Sequence, residues 1–126
     1  MIVDSNILIY AARPDDVGTK QWLAGNGLAY SSITRLEVLG FNGILPKEYG
    51  DLTDLMANLV QLPVSDDLIE DAILLRQARR MSLGDSIVAV TALALDMPLA
   101  TANVRDFRNI PGLILVNPMP TNTAVR

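Results

Sequence analysis

Apolar residues fall along this chain in two alternating rhythms. Residues 1–3 form a short unbroken apolar run, the pattern of a strand buried on both faces. The run stops at Asp4, and from Ser5 the apolar residues return at helical intervals. After the turn Arg13-Pro14-Asp15-Asp16, Asp16 is placed to cap a helix through Lys20, Trp22 and Leu23 that stops at Gly25-Asn26-Gly27. Residues 28–31 read as a strand and 32–40 as a helix, with Ile33, Leu36 and Gly40 on one side and Glu37 beside that stripe. Pro46 interrupts, and 47–59 read as a helix with Leu52, Leu55, Met56 and Leu59 at helical spacing. Residues 60–64 predict a strand at a sheet position that tolerates Pro63.

Ser65 caps a helix over 66–80, with Leu68, Ala72, Leu75 and Ala78 inward and Arg79 and Arg80 in the last turn, where the helix dipole favours cations. A loop over 81–84 leads to a helix over 85–95 that is apolar nearly all round and therefore buried. Residues 98–101 predict a strand, 102–107 a turn opening a short helical piece, and 112–116 a last strand. Short strands alternating with helices predict an α/β fold: a mostly parallel central sheet flanked by helices. With 126 residues, half of them apolar and no internal repeat, the expectation is one domain over 1–126. Pro118, Pro120 and small polar residues make 117–126 its loose tail.

Composition narrows the chemistry. There is no cysteine, so disulfides and thiolate metal sites are excluded and a reducing, cytoplasmic setting is expected. There is no histidine either, which excludes Ser-His-Asp and Cys-His systems and imidazole-bound zinc. No stretch reaches the roughly 18 apolar residues of a membrane span, and no basic-then-apolar signal opens the chain. A net charge of −4 counts against simple non-specific binding of nucleic acid. Carboxylates, amides, hydroxyls, Lys, Arg, Tyr and oxygen-bound metals remain.

Polar residues stand at strand-to-helix junctions or in apolar surroundings at Asp4, Glu37, Asp85 and the pair Asn103/Asp106. Each has an ordinary reading. Asp4 can cap a helix; Thr34-x-x-Glu37 and Ser82-x-x-Asp85 match capping boxes; Asn103 and Asp106 suit a turn. Together they suggest more. Carboxylates gathered in a partly buried place repel one another, and a divalent cation removes that penalty. Mg²⁺ and Mn²⁺ prefer such hard oxygen ligands and can hold a phosphoryl group for attack by water.

The segments MIVDSN, SSITRLE, LGDSIVAVTAL and LATANVRDF, in this order over nearly the whole chain, resemble the PIN domain, and within it the VapC-type toxin ribonucleases of toxin–antitoxin pairs. The resemblance implies a three-layer α/β/α fold in which Asp4, Glu37 and Asp85 hold Mg²⁺ or Mn²⁺ and take part in catalysis. It implies a fourth acidic or amide position in the turn after the next strand. Here Asn103 stands in that turn, where many relatives have Asp, and Asp106 lies one helical turn on; either completes the set, with Asp106 the acidic candidate. Thr101 matches a hydroxyl beside the metal site, and Ser5 and Asn6 match small polar residues next to the first acid. The implied activity is hydrolysis of RNA phosphodiesters to a 5′-phosphate and a 3′-hydroxyl. The implied partners are RNA, a cognate antitoxin and a second copy in a homodimer, for which Leu52, Leu55 and Leu59 offer an apolar face. Arg35, Arg79, Arg80, Arg105 and Arg108 are candidates to meet phosphates. Two rivals stand beside this reading: a PIN-like binding module without activity, and a receiver-type phospho-acceptor domain.

Overall fold

The computed structural model describes residues 1–119. Five strands, β1 (Ile2–Val3), β2 (Ala29–Ser31), β3 (Val60–Leu62), β4 (Leu99–Ala100) and β5 (Leu115–Val116), form one sheet in the order β3-β2-β1-β4-β5. Every pairing is parallel. The helices are α1 (Ser5–Ala12), α2 (Val17–Asn26), α3 (Ser32–Leu39), α4 (Pro46–Met56), α5 (Asp66–Ala78), α6 (Leu83–Ala94) and α7 (Val104–Phe107).

Strand alternation builds three layers. Ile2 lies in register with Ala29 and Leu99, and these three share one core with Val88, Ala89 and Ala92 of α6, Phe107 of α7 and Leu75 of α5. Val3, Tyr30 and Ala100 enter the opposite core, with Ile7 and Leu8 of α1, Leu23 of α2, Val38 of α3 and Leu52 and Met56 of α4. A parallel sheet covered on both faces must be apolar on both sides, which is why its strands read as unbroken apolar runs. Ser86 to Ala92 of α6 are all buried, as the all-round apolar pattern predicts.

Several expectations change at this level. Pro46 does not interrupt a helix but begins one: it is the first residue of α4, where its missing N–H has no intrahelical partner to lose. α6 begins at Leu83 rather than Asp85, because the Ser82 hydroxyl caps it. α5 ends at Ala78, so Arg79 and Arg80 lie past its last turn. Ala78 is exposed, whereas Leu68, Ala72 and Leu75 pack inward. Pro63 falls just beyond β3, an edge strand. Leu52 is only 1% exposed and so is spent inside the protomer, whereas Leu55 and Leu59 pack against the same core while remaining partly exposed. Of the expected tail, Asn117 to Met119 are described, with Met119 in the core; 120–126 lie outside the described residues.

Candidate functional site

The strand order reverses beside β1. The chain moves outward through β2 to β3, then crosses to β4 on the other side of β1. In an open parallel sheet the crevice lies at the carboxyl ends of the strands where the order turns back. Here the residues directly after those strands are Asp4 and Thr101. A receiver-type domain has the order 2-1-3-4-5, so this topology sets that rival aside.

Asp4 is buried and held on three sides. Its Oδ1 accepts from the Ser5 N–H at 2.8 Å, so it does cap α1. Its Oδ2 accepts from Thr101 Oγ1 at 2.8 Å and from Asn6 Nδ2 at 3.2 Å. The Asn6 amide also donates to Thr101 Oγ1 at 3.3 Å, and its Oδ1 accepts from the Ala102 N–H at 2.9 Å. The Asn103 N–H completes the set on Thr101 Oγ1 at 3.0 Å. The cap and the site are thus one carboxylate, pinned across the gap between β1 and β4. Burial raises its pKa; the bonds from Thr101, Ser5 and Asn6 oppose the rise, and the charge of Asp106 adds to it.

Glu37 reaches the same place from α3. Its capping-box role fails, because α3 is capped by Ser31, whose Oγ accepts from the Ile33 N–H at 3.2 Å. Glu37 is therefore in the second turn. The residue as a whole is exposed, yet its carboxyl end lies against Gly84 of α6: a β-carbon on Gly84 would sit 2.7 Å from Glu37 Oε2. The loss of water there, then the charges of Asp4 and Asp85, lift its pKa from an ordinary 4.5 to about 7. Asp85 follows Gly84 in the first turn of α6, its N–H donating to Ser82 Oγ at 3.1 Å. Its pKa rises from 3.8 to about 6 through burial and the charge of Asp4, with Asp106 adding and the Ser82 hydroxyl opposing.

Asp106 belongs to this group by its charge, which acts on both Asp4 and Asp85. Asn103 is the N-cap of α7 but makes no side-chain cap bond; it brings a neutral amide to the same turn. A depression of about 380 Å³ runs beside Asp85 and Asp106, lined also by Arg79, Arg80, Ser82 and Arg105. Arg35 and Arg108 are exposed and outside that lining. Arg79 serves the fold itself. Its Nη1 donates to the Arg108 carbonyl and its Nη2 to the Asp106 carbonyl at 3.2 Å, strapping the end of α5 to the turn that carries Asp106. A larger hollow, about 470 Å³ between α5, α6 and Ile110, is mostly apolar and holds no such cluster.

The group offers oxygen donors only, the set that Mg²⁺ and Mn²⁺ prefer. Among the described residues no three acidic side chains close into a cage around one point.

Compared with known protein families, residues 1–113 match the PIN domain. The chain belongs to the PIN domain family. Its PIN fold is also that of several solved structures. A toxin–antitoxin complex from Klebsiella pneumoniae is 30% identical, covering 94% of this chain and 97% of that one, with a TM-score of 0.74. VapBC2 from Rickettsia felis, bound to a DNA fragment from their promoter, is 25% identical over 92% of this chain and 96% of that one, with a TM-score of 0.73. DNA-bound VapBC from Salmonella typhimurium has a TM-score of 0.77 over 94% of this chain and 97% of that one; at 19% identity it shows a likeness of fold alone. Among curated protein sequences none matches.

Sequence reasoning pointed to Asp4, Glu37, Asp85 and Asp106, and this PIN fold brings their charges together. It did not assign the bridging role of Asn6 or the strap formed by Arg79. The only signal for Asn6 was its place next to Asp4; for Arg79 there was none.

Proposed function

We propose that this PIN domain is a metal-dependent endoribonuclease, the toxin of a toxin–antitoxin pair. The observation that carries the reading is the gathering of Asp4, Glu37 and Asp85, each with a raised pKa, at the switch point of the sheet, with the charge of Asp106 acting on two of them. Such a group is costly to ionise when empty and well suited to a divalent cation. Asp4, Glu37, Asp85 and Asp106 would hold Mg²⁺ or Mn²⁺, with the Asn103 amide able to accept from a coordinated water. Bound there, the ion supplies charge stabilisation to the phosphodiester and acidifies its attacking water.

The chain's own residues do the rest. Thr101 and Asn6 fix the Asp4 carboxylate, so it need not reorganise during the reaction. Arg80 and Arg105, beside Asp85 and Asp106, are placed to meet the phosphates flanking the scissile bond. Their local positive charge offsets the overall −4. The complexes among the similar structures support a cognate antitoxin as partner. We further propose a single domain over 1–126, a homodimer and a cytoplasmic setting; among the described residues no helix is long and apolar enough to cross a membrane.

The test is Mn²⁺ titration by calorimetry together with cleavage of single-stranded RNA. Asp85→Asn and Asp106→Asn should both lose cleavage and weaken ion binding, and Asn103→Ala should do less. Should Asn103→Ala instead abolish binding while Asp106→Asn leaves it intact, the fourth position is the amide. A wild-type chain that binds no Mn²⁺ and cleaves nothing favours the binding-module reading.

A further inference from the structure

Two of the chain's asparagines, Asn26 and Asn42, are followed by glycine. That pair of residues carries a latent reaction. The glycine nitrogen can attack the side-chain amide carbon, closing a five-membered succinimide ring and expelling ammonia. Water then opens the ring at either carbonyl, leaving aspartate or isoaspartate. Glycine favours the attack because it sets no side chain beside the nitrogen and lets the backbone rotate. The other asparagines precede Ile, Leu, Val, Thr or Pro. Those side chains crowd the nitrogen or, in proline, replace its hydrogen.

The fold treats the two sites in opposite ways. At Asn26 both reacting groups are tied down. Its Nδ2 donates to the Trp22 carbonyl at 2.8 Å, and the Gly27 N–H donates to the Leu23 carbonyl at 2.8 Å, closing the end of α2. The Leu23 side chain packs on Gly27, where even a β-carbon would clash with Leu23 Cδ1. Closing the ring there breaks two hydrogen bonds and turns a peptide that has no room to turn. Asn42 lies in the connection between α3 and α4. The Ile44 N–H donates to the Phe41 carbonyl at 3.1 Å and Gly43 has a φ of 88°, so Phe41 to Ile44 form a type II turn. The central peptide of such a turn, here Asn42–Gly43, stands outside the hydrogen bond that closes it. Among the described residues neither the Asn42 side chain nor the Gly43 N–H has a hydrogen-bond partner. Both residues are exposed, and the space where a Gly43 side chain would stand is open. The attacking nitrogen is thus free to lose its proton to water and to swing onto the amide.

We propose that Asn42–Gly43 is a site of spontaneous deamidation in the folded chain, and that the end of α2 protects Asn26–Gly27 from the same reaction. The change takes up one water and releases one ammonia, through the succinimide, and needs no enzyme or oxidant. It replaces a neutral amide with a carboxylate, taking the net charge from −4 to −5. Opening at the former main-chain carbonyl gives isoaspartate and routes the backbone through the side chain, one methylene longer. That change falls between α3, which carries Glu37, and α4. The test is to age the folded chain at about pH 8 in heavy-oxygen water and digest it briefly with trypsin. Cleavage after Lys20, Arg35 and Lys47 separates the two sites into peptides 21–35 and 36–47. Peptide 36–47 should gain the labelled carboxyl about thirtyfold faster than 21–35, the factor for two hydrogen bonds that only Asn26–Gly27 must break. Isoaspartyl methyltransferase should then transfer a methyl group from S-adenosylmethionine to peptide 36–47. In urea the two rates should converge, and Asn42→Gln, folded by circular dichroism, should leave 36–47 unlabelled. Equal rates in the folded chain, or no label in 36–47, would overturn the proposal. A difference that persists in urea would overturn the fold as its cause. Labelling without methylation would overturn the succinimide route.

Discussion

At the scale of single residues, Thr101 is the most constrained polar group in the site. A hydroxyl has one hydrogen to donate and two lone pairs to accept with. Thr101 uses all three: it donates to Asp4 and accepts from Asn6 and from the Asn103 N–H. Thr101→Val keeps the shape but takes a bond from each of these groups in a buried place. We expect a loss of about 1–3 kcal/mol in urea unfolding, the usual cost of orphaned buried polar groups, with Thr101→Ser recovering most of it. A midpoint equal to wild type would mean that the network contributes nothing to the fold. None of this is legible locally. Asn6 and Thr101 are 95 positions apart, and Asn6 could have pointed to solvent as readily as to Thr101.

At the scale of elements, the approach of α3 to α6 is set by Gly84. Its missing β-carbon leaves the space that the Glu37 carboxylate occupies. Alanine is a better helix former than glycine by about 1 kcal/mol, and Gly84 has no positive φ that would resist the change. Gly84→Ala should therefore leave thermal stability equal or higher. It should also push the flexible end of Glu37 out of the cleft, returning its pKa towards the ordinary range and weakening Mn²⁺ binding. Side-chain NMR of Glu37 over pH and a Mn²⁺ titration read both effects; an unmoved pKa with full affinity would mean that Glu37 is not held by this packing. Most elements were legible because their periodicity and caps were strong: Asp16, Ser65 and Ser82 cap α2, α5 and α6 through side-chain bonds. Errors at helix starts had two sources: Pro, which breaks a helix interior, opens α4 at Pro46, and the Ser82 cap carries α6 back through Gly84 to Leu83.

At the scale of the whole molecule, the acidic group couples folding to pH and, on the function proposed above, to metal. Glu37 and Asp85 titrate near 7 and 6 in the folded chain, against 4.5 and 3.8 ordinarily, and Asp4 is raised as well. The folded state thus holds these protons more tightly than the unfolded one. Their stabilising contribution is complete below about pH 4 and lost as pH rises through about 6 to 7. Without metal the melting temperature should fall between pH 5 and pH 8. Glu37→Gln/Asp85→Asn should flatten that slope and melt higher at pH 8, by a modest amount because Glu37 is partly solvated. Mn²⁺ at pH 8 should raise the wild-type melting temperature and leave this double variant unmoved. Differential scanning calorimetry in chelator and in Mn²⁺ at the two pH values checks all three, and a slope of opposite sign would mean that the carboxylates are paired with cations rather than with one another.

The sequence by itself determined the α/β class, the parallel sheet and the burial of α6, because each depends on periodicity that is written locally. Only the tertiary structure decided the strand order. That order, through the crossover from β3 to β4, is what sets Asp4 beside Thr101 and brings the charges of Glu37, Asp85 and Asp106 to bear on one crevice. It also decided that Leu52 faces inward while Ile69 and Ile73 face out. An apolar stripe on a helix has the same spacing whether the surface it meets is the protein's own sheet or another molecule, and only the packing of the remaining elements tells them apart.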